Sequence, residues 1–308
     1  MRKFLTILAV VVLIGVIGAG AVEFLNNQRT SDQAEQPTDE PGPIGPAQPA
    51  WCPAVEFISA PGTWESAKDD DPENPQANPR SFMLSITNPL REAYPEDQLK
   101  VWTLPYTAQF KNLNAQHEMS YDDSREEGTA RLEEELSYMH DNCPMTKFIL
   151  SGFSQGAVIV GDVADRIGGG QGVVPADAVA GVAIIADGRR QSGVGINPGA
   201  EVDGIGAEIA LQPVEGLIQA VVPGASMRGE RENGFGELAD RTYQICAPDD
   251  AICDAPRGIV NGLERAMDLI EANGVHAMYA YNDAVFDGTT TNLWVIDWAR
   301  KTIDAASA

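Results

Sequence analysis

A serine lies between two glycines in "KFILSGFSQGAVIVGDVADRI" (residues 147–167), where an apolar run gives way to a helical pattern. Gly152, Ser154 and Gly156 fit G-x-S-x-G, and a strand before it and a helix after it place the serine on a tight, strained turn. Such a turn lifts the hydroxyl above the carboxyl end of a sheet and directs N–H groups at the helix start towards developing negative charge. The segment therefore predicts a nucleophilic serine.

A nucleophilic serine needs a base, and the chain contains three histidines. His117 and His140 precede Ser154, whereas His276 follows it. In α/β-hydrolases the catalytic residues follow the chain order serine, acid, histidine, and this order selects His276 by elimination.

Three carboxylates are candidates for the acid that would orient this histidine. Asp187 ends an apolar strand, and α/β sheets usually present functional groups where their strands end. Asp249 and Asp250 lie inside a short loop bounded by two cysteines, which would fix a carboxylate if the cysteines were joined. The residues themselves leave the choice among the three open.

The elements around these residues alternate between near-continuous apolar strands and helical patterns. This alternation is typical of a mainly parallel sheet covered by helices on both faces, so we expect a three-layer α/β fold. Residues 191–240 are rich in glycine and fit strand extensions, a surface loop or a flap over the site equally well. The predicted strands cover residues 55–60, 99–106, 147–152 and 179–187, and the predicted helices cover residues 80–94, 124–141, 155–167 and 290–306.

The amino terminus indicates export. Arg2 and Lys3 precede an uncharged apolar run over residues 4–22, which is nearly long enough to span the hydrocarbon core of a membrane. Residues 19–21 also fit a signal-peptide cleavage site, but the apolar region of a signal peptide is usually shorter, about 7–15 residues. We therefore expect residues 1–25 to be a membrane anchor on an exported protein, with a cleaved signal and secretion as the alternative.

Residues 26–50 contain five prolines and no aromatic residue, which predicts a disordered tether. We expect the folded domain to cover residues 51–308.

The formal net charge of −24, from 45 acidic and 21 basic residues, repels nucleic-acid phosphate. Because no Lys/Arg cluster or basic helix offers an exception, we exclude nucleic-acid binding.

The four cysteines indicate disulfides, since an even number in an exported chain is typical of a disulfide-bonded domain. The short spacing between Cys246 and Cys253 favours a local pair, which leaves Cys52 to pair with Cys143. A zinc site is disfavoured because the chain has neither a C-x-x-C pair nor clustered histidines.

From Cys52 to the carboxyl terminus, these residues resemble the cutinase family of serine esterases. The segment "GFSQGA" resembles the family's G-Y-S-Q-G-A turn, with Phe153 in place of the usual tyrosine. The segment "CAPDDAIC" resembles its C-x-x-x-D-x-x-C acid loop, which selects Asp250 as the acid. The segment "HAMY" resembles the family's histidine followed by a tyrosine, and the two cysteine pairs match the family's two disulfides.

The segment "APGTWE" resembles the family's A-R-G-[ST]-x-E stretch, with Pro61 in place of the usual arginine. The resemblance implies that Thr63 and the backbone N–H of Gln155 form the oxyanion hole. It also implies acyl transfer to Ser154 in an α/β-hydrolase fold, with no metal or organic cofactor.

A narrower resemblance concerns the membrane-anchored cutinase-like hydrolases of mycolic-acid-containing actinobacteria. The apolar amino terminus, the Pro-rich tether and segments such as "PYTAQF" and "IADGRRQ" together resemble them. This resemblance implies a lipid or fatty-acyl ester substrate in the cell envelope, phospholipase A or thioesterase activity, and attachment to the cell membrane.

Two other functions fit the same residues. An envelope acyltransferase would form the same acyl-Ser154 intermediate and would differ only in its acceptor. A non-catalytic lipid-binding protein would keep the fold, but it would not need Ser154, Asp250 and His276 together. We therefore expect an enzyme, and lipid ester hydrolysis is the leading prediction.

Overall fold

The computed structural model describes residues 48–258 and 274–307. The predicted membrane anchor (residues 1–25) and residues 26–47 of the predicted tether lie outside the described residues. Within the two described ranges, no helix is both long enough and apolar enough to cross a membrane.

A parallel sheet forms the centre of the fold, which confirms the predicted α/β architecture. Each strand pairs in parallel with its neighbours, in the order β2-β1-β3-β4-β5. Because β3 lies in the middle of this order, the segment before Ser154 is held on both sides. The strands are β1 (Val55–Ala60), β2 (Leu99–Thr103), β3 (Lys147–Phe153), β4 (Val179–Ile185) and β5 (Thr242–Ile245).

Helices cover both faces of the sheet, as the near-continuous apolar strands predict. Val55 and Phe57 of β1 belong to one apolar cluster, and Ile58 and Ala60 belong to another, because successive side chains of a strand point to opposite faces. In the order α1 to α6, the helices are Leu84–Ala93, Tyr121–Asn142, Gln155–Gly168, Ala207–Leu211, Glu215–Val221 and Thr291–Ala306. Helices α2 and α3 pack in the Ile58 cluster, whereas α1 and α6 pack in the Phe57 cluster.

Some helix and strand boundaries differ from the predicted ones because of a helix cap or a positive φ angle that the sequence pattern does not show. Helix α2 begins at Tyr121, three residues early, because Ser120 Oγ accepts the backbone N–H of Asp123 and caps the helix. Strand β4 ends at Ile185 because Ala186 adopts a positive φ of 57°, which extended backbone does not allow. Strand β5 was missed since four residues are too few to show a periodic pattern.

The glycine-rich segment 191–240 contains the short helices α4 and α5 and builds a third apolar cluster. Leu211, Ile218 and Val222 are buried in that cluster together with Tyr121 from α2. The segment is therefore packed against the fold rather than being a free surface loop.

Two disulfides are present, with the predicted pairing. Cys52–Cys143 joins the residues before β1 to the end of α2, and Cys246–Cys253 closes a loop directly after β5. The second bond bounds the loop that contains Asp249 and Asp250.

A buried ion-pair cluster holds the glycine-rich segment against α3. Arg231, whose side chain is 1% exposed, donates from Nε to Asp162 Oδ1 at 2.9 Å and from Nη1 to Asp187 Oδ2 at 2.6 Å. Arg189 and Arg228 also bind Asp162. Burial by itself would raise the pKa of Asp162, but the three arginines hold it well below its usual value.

We expect Arg231→Met to lower the free energy of unfolding by about 3–5 kcal/mol, because it leaves two buried carboxylates without their main partner. The matched control is Lys301→Met, which removes a cation from the exposed pair with Asp297 and should cost less than about 1 kcal/mol. Urea denaturation of both variants measures the difference. Equal small losses would contradict a supporting role for the cluster.

Candidate active site

Ser154 lies on a strained turn between β3 and α3, with φ 55° and ψ −119°. The two glycines of the motif are required by close approach of backbone atoms. A Cβ at Gly152 would lie 2.3 Å from the carbonyl oxygen of Gly156, and a Cβ at Gly156 would lie 2.1 Å from that of Ala60 in β1. The turn therefore accepts no larger residue at either position, and the serine side chain stands at the carboxyl end of the sheet.

His276 lies between the serine and a carboxylate. Its Nε2 is 2.9 Å from Ser154 Oγ, and its Nδ1 is 3.0 and 3.1 Å from the two carboxylate oxygens of Asp250. The ring stacks on Phe153, with centroids 5.0 Å apart and planes 25° apart. The structure therefore brings Ser154, His276 and Asp250 together. The histidine is 9% exposed and Asp250 is fully buried, so these two side chains are largely shielded from water.

The Asp250 carboxylate is fully buried and accepts further hydrogen bonds. Ile252 donates its backbone N–H to Oδ1 at 3.0 Å, and the Tyr279 hydroxyl donates to Oδ2 at 2.7 Å. The same hydroxyl accepts the backbone N–H of Ala247 at 2.9 Å. Burial, and then the charge of Asp250, raise the pKa of Tyr279 well above its usual value, so the phenol keeps its proton and remains a donor.

The other two candidate acids lie elsewhere. Asp187 is bound by Arg231 through both carboxylate oxygens. Asp249 is exposed and occupies the left-handed backbone region at φ 64°, whereas its neighbour Asp250 points into the interior. A long-range contact separates Asp187 from Asp250, and backbone conformation separates Asp249 from Asp250, so the sequence pattern alone left the three open.

Thr63 and Gln155 lie beside the serine, one on the loop after β1 and the other as the first residue of α3. Thr63 Oγ1 donates to Gln155 Oε1 at 3.3 Å, and Gln155 Nε2 donates to Ser124 Oγ at 3.0 Å. The backbone N–H of a first helical residue has no acceptor within its own helix and can bind an anion.

The loop carrying Thr63 is braced by Glu65. The carboxylate of Glu65 accepts the backbone N–H groups of Gly62 at 3.2 Å and Phe82 at 3.0 Å, and also the hydroxyl of Ser81 at 3.0 Å. Burial raises the pKa of Glu65, and these hydrogen bonds act in the opposite direction. The Glu65 carboxyl group thus fixes the loop through the loop's own backbone.

An apolar pocket with a cavity volume of about 180 Å³ opens beside Ser154 and His276. Several of its walls come from segments that are distant from the serine in the sequence. The apolar walls include Trp64, Phe110, Val158, Ala207, Met227 and Ile252. The glycine-rich segment 191–240 is therefore part of the pocket wall.

One wall of this pocket is polar. Glu208 is buried and accepts the Tyr121 hydroxyl at 2.7 Å. Arg228 donates to both of its carboxylate oxygens, at 2.9 and 3.0 Å. The charge of Glu208 is thus balanced by an arginine that belongs to the ion-pair cluster.

The family model described as Cutinase matches residues 51–268. The chain is also 61% identical over 307 residues to the carboxylesterase Culp6 homolog of Corynebacterium glutamicum, and the match covers 99% of each protein.

Two solved structures share the fold. A cutinase-like protein from Cryptococcus sp. has a TM-score of 0.52 at 20% identity, over 83% of this chain and 98% of that one. An acetyl xylan esterase has a TM-score of 0.50 at 17% identity, over 82% and 99%. The family model and the similar carboxylesterase show that the chain belongs to the cutinase family and is a carboxylic ester hydrolase.

Proposed function

We propose that the protein hydrolyses esters of cell-envelope lipids through an acyl-enzyme formed on Ser154. The observation that carries this proposal is the continuous hydrogen-bonded series from Ser154 through His276 to Asp250, at the mouth of an apolar pocket. A serine, a base and an orienting carboxylate in this order are the components of nucleophilic acyl transfer.

In the proposed mechanism, Ser154 Oγ attacks the ester carbonyl carbon while His276 Nε2 takes the hydroxyl proton. Asp250 holds the imidazole through Nδ1 and stabilises its positive charge. When the tetrahedral intermediate collapses, the C–O bond to the leaving alcohol breaks and His276 returns the proton to that oxygen. Water then attacks the acyl-serine by the same route and releases the carboxylic acid.

The negative charge of the tetrahedral intermediate would develop near Thr63 and the start of α3. We assign oxyanion stabilisation to the backbone N–H of Gln155 and to the Thr63 hydroxyl, which would turn its proton from Gln155 Oε1 to the oxyanion; both residues line the pocket beside the nucleophile. Removing one donor of this kind typically lowers kcat by about 10²–10³-fold. The backbone contacts of Glu65 support this role, because they keep the Thr63 loop in one conformation before substrate binds.

A lipid substrate is supported by the pocket walls. Burial of each CH₂ group of an acyl chain favours binding by about 0.8 kcal/mol. The aromatic and aliphatic walls of the pocket can bury such a chain. The apolar residues 4–22 support an exported protein held at the membrane, facing the envelope, where such lipids occur. Phospholipase A and thioesterase activity are the proposed specific reactions.

We expect Ser154→Ala to abolish both labelling by a fluorophosphonate probe and hydrolysis of p-nitrophenyl esters, because the nucleophile is removed. The measurement compares full-length wild type and variant, with circular dichroism to show that both are folded. A folded, disulfide-intact wild type that neither reacts with the probe nor cleaves the esters would refute the proposed function.

Hydrolysis and acyl transfer are separated by their products. We expect the wild type to release free fatty acid from an ester even when glycerol or a sugar is added, because the proposed final acceptor is water. Chromatography of the products checks this. Acylated acceptor as the main product would favour an acyltransferase with the same acyl-enzyme.

We expect Tyr279→Phe to lower kcat by about 10–100-fold with little change in KM, because a hydrogen bond to a charged group contributes about 1.5–3 kcal/mol and this one positions Asp250. The matched control is Tyr281→Phe, since that tyrosine is 74% exposed and two residues away. The rate of fluorophosphonate labelling should fall in parallel with kcat. Equal kinetics for the two variants would show that Tyr279 does not position the acid.

A further inference from the structure

The pocket wall has a gap at Gly188, the residue after Asp187. A Cβ placed on Gly188 would lie 3.4 Å from Val158 Cγ2 and 3.9 Å from both Ile252 Cγ2 and Glu208 Oε1. Gly188 and these three residues all line the pocket beside Ser154. The missing side chain therefore leaves open space between the walls, at ordinary van der Waals distances from each of them.

The backbone does not require glycine at this position. The φ angle of Gly188 lies outside the left-handed region that other residues avoid, and an added Cβ would not collide with backbone. This differs from Gly206, where a Cβ would lie 2.3 Å from the carbonyl oxygen of Gly188. The carbonyl oxygen of Gly188 accepts the backbone N–H of Glu208 at 2.9 Å. Because this is a backbone hydrogen bond, any residue at position 188 could make it. The absence of a side chain at position 188 therefore affects the space in the pocket and not the conformation of the backbone.

The gap lies one helical turn from the nucleophile. Val158 lies in the first turn of α3, and its backbone N–H donates to the carbonyl oxygen of Ser154, the residue before the helix, at 3.1 Å. Four residues rise about 6 Å along the helix, roughly the span of four to five C–C bonds in an extended chain. A carbon chain that starts at the acyl-serine and follows α3 would reach Val158 and Gly188 after about four carbon atoms. Shorter acyl groups would end before the gap.

We propose that the acyl chain runs from Ser154 along Val158 into the gap at Gly188, and that Gly188 sets the length of acyl chain that the enzyme accepts. The substrates would be esters of unbranched acyl groups longer than about four carbons, by the helical-turn length above. This inference rests on the proposed function, because it assigns the pocket to the acyl group of the ester. Glu208, bound by Tyr121 and Arg228, closes the polar side of the gap.

The test compares p-nitrophenyl acetate with p-nitrophenyl octanoate in full-length wild type and Gly188→Ala. We expect kcat/KM for octanoate to fall by about 10-fold or more, because the space of one methylene in an apolar pocket changes kcat/KM by about 10–200-fold. The octanoate-to-acetate ratio of kcat/KM should fall accordingly, since an acetyl group does not reach the gap. The matched control is Gly216→Ala on α5, where an added Cβ meets no atom within 4 Å and the surface is exposed.

A rescue variant distinguishes pocket filling from general damage. Val158 Cγ2 is the atom nearest to the added methyl group, so Val158→Ala combined with Gly188→Ala should recover most of the lost octanoate activity. Such non-additivity is expected only for side chains that share one space. If Gly188→Ala does not fold, Ile252→Phe narrows the same gap from the opposite wall and should lower the octanoate-to-acetate ratio in the same way.

The outcomes separate this inference from the proposed function. A wild type that cleaves both esters, with an octanoate-to-acetate ratio unchanged in the folded Gly188 variant, would overturn the assignment of the gap and leave the esterase function intact. A folded wild type that cleaves neither ester would overturn the proposed function and the inference with it. Selective loss on octanoate with rescue by Val158→Ala supports both.

Discussion

The backbone conformation of Ser154 is the constraint on which the rest of the site depends. A non-glycine residue at φ 55° costs about 1–3 kcal/mol, and it persists only where the surrounding structure leaves no alternative. Here β3 is held between β1 and β4, and α3 begins at the next residue, so the chain must reverse within one residue. The glycines on either side allow this because α3 approaches β1 to within contact of its backbone. Strain at the serine is therefore a consequence of a tightly packed sheet and helix, and it is what exposes the hydroxyl.

The partners of the serine come from segments with little regular structure, which need other restraints. Asp250 lies in a loop closed by a disulfide, and Tyr279 joins its carboxylate to the backbone of Ala247 on the same loop. His276 is held by hydrogen bonds at both ring nitrogens and by stacking on Phe153. Since Phe153 is the last residue of β3, the histidine ring packs directly on the strand that presents the nucleophile. The disulfide and the aromatic stacking thus hold the loops in place, as hydrogen-bonded pairing holds the strands of the sheet.

The sequence could predict the features that depend on local chemistry. The apolar alternation predicted the layers of the fold, and G-x-S-x-G between strand and helix predicted the turn at Ser154, because both express short-range backbone requirements. The residues alone could not identify the acid, since Asp187 and Asp250 both occupy plausible positions after apolar segments. What separates them is the pairing of Asp187 with Arg231, which lies 44 positions further along the chain. The sequence left segment 191–240 open among strand extensions, a surface loop and a flap for the same reason, because its short helices acquire a place only through burial in a cluster with Tyr121 of α2.

Helix α3 connects the chemistry to the pocket. Val158 and Asp162 are four residues apart on one face of the helix, and the backbone N–H of Val158 donates to the carbonyl oxygen of Ser154, the residue before the helix, at 3.1 Å. Ser154 is the proposed nucleophile, Val158 lines the pocket, and Asp162 anchors the arginines. One of these arginines, Arg228, binds Glu208, so the polar wall of the pocket is fixed to the same helix that begins at the nucleophile. The apolar wall at Val158 and the polar wall at Glu208 are therefore both held by one helix, the first directly and the second through Arg228 and Asp162.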